Sequence, residues 1–435
     1  MMALWLARGP LMLRAASSPK SYLLLFAVLL LLYCLGVVLS PVLKERTFLS
    51  ENNGKIGIAD FVVLYEAGVI AASGDRQRIY DPAVQLSWCN RIISPDRLRE
   101  PMYIQSPPWF FTLMAPLSLI PIKPAYVLWT FFWTAAATIA MLLVLRQSGM
   151  QSRLDRALFV TFALASAPAV VSMKLGQTSL CLLTFVLMFC YCWRRRRDKQ
   201  GALWLALSSF KVQYCLFLVL PAVAGARRRL LAWSILLGAI LLSISLLDVG
   251  WQSFAAYPAW VNYVESSGAQ GVYAEAMVNI RGLLNAYLPT KLAFQLSVAA
   301  MLAALLYLVW LWRRAAKLSL PGKDEWLLAT TIALAVLTSP HTHYHDCVLL
   351  AAAAAVTLTK LDLNMSAGPL SYRVWKYLLL IYPMLSWLAY LHRADSPVPL
   401  LALANMAVAL AAVAYCESLL RRPEAAVEPP TVTAE

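Results

Sequence analysis

The chain has 435 residues, 61% of them hydrophobic and only 14% charged, with a formal net charge of +15. Soluble domains carry about 25% charged residues. Apolar runs of about twenty residues recur along this whole chain, so a soluble globular protein is excluded and an all-α polytopic membrane protein is expected. The positive charge could suggest nucleic acid, but it falls in short clusters between apolar runs, such as Arg194-Arg195-Arg196-Arg197 and Arg227-Arg228-Arg229. That is the pattern of cytoplasmic loops under the positive-inside rule.

In chain order, residues 1–21 form an expected cytoplasmic N-terminus with Arg8, Arg14 and Lys20, and the apolar run 22–43 reads as an uncleaved signal anchor. A first outer loop, 44–106, holds eight basic and eight acidic residues. Within it Asp60 precedes Phe61, Leu64, Tyr65, Gly68 and Val69 at helical spacing, which predicts a helix lying in the membrane interface. The segment 107–120 is bounded by Pro107-Pro108 and Pro121. If it crossed the membrane, the basic clusters would land outside, so a re-entrant path is expected. The same argument makes 200–226 a broken hairpin with Lys211 near its middle.

Full spans are expected at about 22–43, 125–145, 157–173, 178–193, 230–247, 292–312, 325–339, 347–359, 373–391 and 398–418. Together they form one transmembrane domain, 22–418, of about ten crossings plus two re-entrant pairs, or 10–13 hydrophobic helices. A second large outer loop covers 248–291, and the Pro-, Glu- and Thr-containing residues 419–435 read as a disordered cytoplasmic tail. Seven of the eight cysteines lie in or beside apolar runs, with neither a disulfide framework nor a zinc spacing.

This map collects four polar features on the outer side: Asp60 with its loop, Lys174 to Ser179, the loop 248–291, and Ser339 to Asp346. Asp60 can serve as a general base at the bilayer edge or as a helix N-cap. His341, His343 and His345 ending in Asp346 can bind a metal, meet a phosphate or move a proton, or form a polar turn. Lys211 is an intramembrane charge, usually functional, unless it snorkels to the cytoplasmic edge. Gln177 beside Gly176 lies at a helix–helix turn. Arg281 in Met277-Val-Asn-Ile-Arg-Gly282 is suited to phosphate, against the reading of a solvated loop residue. The loop tip Ile79-Tyr80-Asp81-Pro82 offers Tyr80 as a substrate contact.

Taken in order, Asp60-Phe61 with Tyr65-Glu-Ala-Gly68, Gly74, Tyr80-Asp81-Pro82 and Pro107-Pro108 resemble the start of glycosyltransferase family 87, membrane mannosyltransferases of the GT-C fold. Gly176-Gln177, Lys211, Arg281-Gly282 and Ser339-Pro340 to Asp346 match later landmarks of that family, so the resemblance covers about residues 20 to 360. Val212 stands where the family usually has proline, and the segment before Asp346 is richer in histidine. The resemblance implies an inverting transfer of a mannose-like hexose or a pentose from a polyprenyl-phosphate donor to a lipid or glycan acceptor. The reaction would take place on the outer face of the cytoplasmic membrane. Asp60 would be the general base, and Arg281, Lys211 and His343 would neutralise the departing phosphate, with His341, Gln177, Tyr80 and Asp346 around them. No cofactor and no metal are implied, since the outer loops hold no Asp-x-Asp pair. A transporter or lipid-linked-sugar flippase is the competing class.

Overall fold

Backbone groups within a bilayer must be satisfied inside their own segment, and the apolar runs of this chain accordingly fold as helices. The computed structural model describes residues 19–39, 49–52, 55–266, 274–358, 369–392 and 399–421. Residues 1–18 of the expected cytoplasmic N-terminus 1–21 and the expected disordered tail beyond Arg421 lie outside the described residues, while 19–21 belong to the first helix and 419–421 to the last.

Among the described residues the first elements are α1 (Pro19–Leu39) and a short antiparallel hairpin, β1 (Leu49–Asn52) with β2 (Lys55–Ile58). Then come α2 (Asp60–Ala71), α3 (Pro82–Ile92) and α4 (Pro108–Met114), the last continued by a 3-10 turn over Ala115–Leu119. Next are α5 (Ile122–Gln147), α6 (Arg153–Leu164), α7 (Ala167–Leu175), α8 (Ser179–Arg194), α9 (Asp198–Ser208) and α10 (Val212–Ala224). The remainder is α11 (Arg228–Val249), α12 (Trp251–Ser266), α13 (Ile280–Asn285), α14 (Thr290–Ala316), α15 (Lys323–Thr338), a 3-10 turn over Tyr344–Leu349, α16 (Leu350–Thr357), α17 (Leu370–Leu391) and α18 (Leu400–Arg421).

Five helices among the described residues are long and apolar enough to cross a membrane: α5, α11, α14, α17 and α18. The pair α6 and α7, bent by 56°, would make a sixth. The larger number expected from hydropathy counts shorter helices too. The 16 residues of α8 rise only about 24 Å at 1.5 Å each, and nearly all its side chains are buried, as are those of α15. A helix apolar all round is a core helix as readily as a lipid-facing one, and composition alone does not separate the two. By contrast, α11 leaves Ile235, Leu236, Ile240, Leu242 and Ile244 exposed.

The bundle has two chemically different ends. At one, Arg194 pairs with Glu325 at 2.8 Å and donates to the Gln147 carbonyl at 2.8 Å. Arg227 pairs with Asp198 and lies over the Trp193 ring at 4.2 Å, and Arg314 pairs with Glu417 at 3.0 Å. The Arg227–Asp198 pair ties the far ends of α9 and α10 together, so 198–224 is a helical hairpin with Lys211 at its tip, and both basic clusters stay at one end. The segment 108–119 never reaches that end. It is held at the other by Phe110 against Phe210 (ring centroids 5.0 Å) and by the Tyr65 hydroxyl on the Ile120 carbonyl at 2.8 Å.

The helix expected to lie in the interface is present but differently placed. Phe61 to Gly68, Ile70 and Ala71 of α2 are all buried, so the helix has no solvent face and sits inside the protein. Its apolar positions run round the whole circumference, and the spacing of Phe61, Leu64, Tyr65, Gly68 and Val69 picked out only one stripe of them. The segment expected to be a second large outer loop, 248–291, contains the helices α12 and α13.

Candidate active site

At the end opposite the basic clusters, three interruptions in the helices meet: the α7–α8 turn, the tip of the α9–α10 hairpin, and the segment 339–343 after α15. Chain breaks are where polar side chains enter an apolar bundle, because helix ends leave backbone groups that need partners.

The α7–α8 turn is shaped by Gly176, which closes α7 in the left-handed conformation at φ +65°. Glycine takes this conformation without steric penalty. A Cβ here would lie 2.6 Å from Phe61 Cβ, so the start of α2 is pressed directly onto the turn. Tyr126 braces it from below, its ring edge-on to Phe61 at 5.4 Å and its hydroxyl on the Met173 carbonyl at 2.8 Å. The contact brings Gln177 Nε2 to within 2.6 Å of Asp60 Oδ2, donating to it.

Asp60 is the first residue of α2, the cap position is Ala59, and no side chain caps the helix. The N-cap reading of Asp60 is therefore overturned. That task is performed one helix later by Asp81, which accepts from the Ala83 amide at 2.9 Å and from Arg78 at 2.7 Å. Desolvation pushes the Asp60 carboxyl above its ordinary range, opposed by His345, the Gln177 hydrogen bond and Lys211, while Asp346 adds to the rise. A carboxylate displaced toward neutral pH is better matched to proton transfer than an ordinary one.

Asp346 is fully buried and gathers the second cluster. Its Oδ1 accepts from Ser179 at 2.6 Å and from Lys211 Nζ at 2.8 Å and lies 3.3 Å from His345 Nδ1, while Oδ2 accepts the His343 amide at 3.3 Å. Burial alone would raise its carboxyl, yet Lys211 and His345 hold it well below the usual range. Lys211, with 14% of its side chain exposed, turns into this cluster at the hairpin tip, which removes the snorkelling reading. The three histidines stand side by side, with ring centroids 4.7 Å apart for His341 and His343 and 5.8 Å for His343 and His345. Burial, with the cationic forms of its neighbours, pushes His343 well below the ordinary histidine range, so it is neutral at pH 7.

The third cluster lies beside His341, whose Nδ1 is 2.8 Å from Glu265 Oε1. Arg281 is completely buried, pairs with the other Glu265 oxygen, and donates to the Pro340 carbonyl at 3.2 Å. Asn279 caps α13 by accepting from the Gly282 amide at 3.0 Å and donates to the Ser339 carbonyl. Gly282 admits no side chain, since a Cβ would lie 1.7 Å from the Met277 carbonyl oxygen. The segments 277–282 and 339–343 are thus zipped together, with the Val278 amide on the Thr342 carbonyl at 3.1 Å.

Of the candidates read from the sequence, Asp60, Gln177, Lys211, His341, His343 and Asp346 belong to this linked arrangement. Arg281 joins it from behind, its charge already met by Glu265. Tyr80 stands apart: its ring packs on Phe111, Tyr257 and Trp260, and its hydroxyl donates to the Ser106 carbonyl at 2.8 Å. Ser179 and Glu265 were not read as site residues. A hydroxyl opening an apolar helix and a lone carboxylate in a Trp- and Tyr-rich helix were the only signals for them. Among the described residues no group of three or more His, Cys, Asp or Glu side chains is disposed to hold a metal ion.

The arrangement sets the Asp60 carboxylate, with its Gln177 partner, near Lys211 and the row of histidines. The family model described as Glycosyltransferase family 87 matches residues 105–340. That segment contains Gln177, Lys211, Glu265 and Arg281 and ends just before the three histidines. No curated protein matches the chain.

Proposed function

We propose that this chain, which belongs to glycosyltransferase family 87 and is therefore a membrane glycosyltransferase, moves a mannose-like hexose or a pentose from a polyprenyl-phosphate donor to a lipid or glycan acceptor. The transfer inverts the anomeric centre and takes place on the outer face of the cytoplasmic membrane, within a GT-C-type fold of about ten crossings. The observation that carries this reading is the Asp60–Gln177 pair facing the Lys211–Asp346 and histidine cluster, at the end of the bundle opposite the basic clusters. Under the positive-inside rule the basic end is cytoplasmic, so the site faces outward. A lipid-borne donor suits a site at the membrane edge, whereas a nucleotide sugar would have to be met on the cytoplasmic side.

In the proposed reaction Asp60 takes the proton of the acceptor hydroxyl as that oxygen attacks the anomeric carbon. The bond from that carbon to the phosphate oxygen breaks, and the polyprenyl phosphate leaves with the electron pair. Inversion is a single displacement and needs no protein nucleophile. Lys211 supplies fixed positive charge toward the departing phosphate, where preorganised charge lowers the barrier most. Neutral His343 adds a hydrogen bond as a donor without charge, and His341 stands beside it in contact with the substrate. Gln177 holds the Asp60 carboxylate in place, and Asp346 holds Lys211 and His345.

The test is transfer by the purified protein in lipid nanodiscs. With a polyprenyl-phosphate sugar and a lipid acceptor, a new glycosidic bond of inverted configuration is expected, and none with a nucleotide sugar. Transfer from the nucleotide sugar alone, or movement of the lipid-linked sugar across a vesicle membrane without bond formation, would overturn the reading.

A further inference from the structure

Glu265, near the end of α12, is the one acidic group in contact with the histidine row that no motif singled out. Only 10% of its side chain is exposed, and it is held on both sides. Oε1 lies 2.8 Å from His341 Nδ1, and Oε2 takes the Arg281 guanidinium. Arg281 is itself immobilised: it is fully buried, donates to the Glu265 carbonyl at 3.1 Å and the Pro340 carbonyl at 3.2 Å, and lies over the Phe294 ring at 4.8 Å. Burial would raise the Glu265 carboxyl, but His341 and Arg281 bring it down to about 2. It is ionised at every working pH and can only accept.

An acceptor at Nδ1 dictates the state of the ring. His341 must carry its proton on Nδ1, because a lone pair there would face a carboxylate oxygen. Nε2 is then the nitrogen left for other partners, and among the described residues no protein group meets it. The charged groups beside the ring are Glu265 from α12 and, behind it, Arg281 from α13; the other titratable ring against it is the neutral His343 on its own segment, and Gln213 from α10 donates to the His341 backbone carbonyl at 3.2 Å.

We propose that Glu265 is a positioning residue for the transfer reaction: clamped by Arg281, it fixes His341 in the Nδ1–H form and leaves the Nε2 lone pair to accept from a substrate hydroxyl. The assignment rests on the glycosyl-transfer reading above. It moves Arg281 from phosphate binding to the support of Glu265, in accord with its complete burial. The chain of dependence runs Arg281 to Glu265 to His341, and only the last touches substrate.

The test is a double-mutant cycle in the nanodisc transfer assay. Glu265→Gln keeps the shape but removes the charge, and His341→Gln removes the ring. Each alone is expected to lower kcat on the order of ten- to a hundred-fold, by analogy with the loss when a carboxylate that orients a metal-bound histidine is removed, with KM little changed. Because Glu265 acts through His341, the double variant should be no slower than His341→Gln alone. Glu265→Asp guards against a folding defect: it keeps a charge for Arg281 but withdraws the oxygen from His341 by about one bond length, roughly 1.5 Å. Its kcat should fall while its thermal unfolding stays near parental. Losses that multiply in the double variant, or a folded Glu265→Asp or Glu265→Gln protein with parental kcat, would overturn the inference. A parental enzyme with no transfer at all would instead defeat the functional reading on which it rests.

Discussion

Replacing Gly176 by alanine adds one methyl group at the point where α2 meets the α7–α8 turn. The new Cβ would start 2.6 Å from Phe61 Cβ and 3.0 Å from the Phe61 ring, at a residue with φ +65°. Restoring an ordinary carbon–carbon contact requires a shift of about 1 Å, and α2 is buried too completely for Phe61 to swing aside. The left-handed backbone costs a non-glycine residue about 1–2 kcal/mol, and overpacking adds roughly 1–3 kcal/mol. A loss of about 2–5 kcal/mol of stability is therefore expected, unless the turn yields and carries Gln177 away from Asp60. In that case stability recovers and activity suffers instead, since a 1 Å misplacement can cost about a hundred-fold in rate. Thermal unfolding in detergent and initial transfer rates, measured on the same preparation, separate the two outcomes. An alanine variant with both parental stability and parental turnover would show that the contact between Gly176 and Phe61 does not hold the site.

Lys211→Met should leave Asp346 as a buried carboxylate without its cation and lower stability by about 3–5 kcal/mol, with partial recovery on adding Asp346→Asn; a melting temperature equal to the parent would contradict this. Acid should destabilise the protein in two stages. The unfolded chain takes up a proton near pH 6.5 that the buried His343 ring resists, so stability falls first as pH drops through that value. Glu265, lowered from 4.5 to about 2, and Asp346, also lowered, contribute stability that is present above pH 4.5 and lost as pH falls from there toward 2. Asp60, raised by burial, works in the opposite sense: stability rises as pH falls from its raised folded value to 3.8 and is unchanged by this group below that. Unfolding midpoints between pH 7 and 3 that stay flat would refute these assignments. For topology, a membrane-impermeant thiol reagent applied to intact cells should label Glu100→Cys and spare Arg196→Cys, with low background because seven native cysteines are buried and Cys215 is half-buried; the reverse pattern would turn the site to the cytoplasm.

Much of this arrangement was legible from residue type. Polar residues stand out against an apolar chain, and the membrane sorts them: Asp60, Gln177, Lys211 and the histidines were found because an apolar bundle gives such groups few places to go. The hairpin of α9 and α10 followed from charge alone, since basic clusters at both ends of 200–226 forbid a single crossing, and the Arg227–Asp198 pair closes it as that argument requires. What stayed hidden were pairings across long sequence distances. Nothing local to Arg281 says that Glu265 neutralises it, and an outer-loop arginine looks solvated until its burial is seen. Asp81 and Asp60 illustrate a second limit, because both precede helical runs and only backbone geometry tells which one caps. Hydropathy likewise scored buried α8 and α15 as it scored lipid-facing α11, since apolar side chains satisfy either neighbour.

The central claim is that Asp60 removes the acceptor proton, and Asp60→Asn tests it most directly. Asparagine keeps the size and an oxygen able to accept from Gln177 Nε2, now at 2.6 Å from the carboxylate, and no helix cap is lost because Asp60 is not one. Folding should therefore be unaffected, while an amide takes up no proton at neutral pH. Initial transfer rates from a polyprenyl-phosphate sugar should fall by roughly two to four orders of magnitude, with the unfolding midpoint near parental. A folded Asp60→Asn protein that transfers sugar at the parental rate would contradict the account.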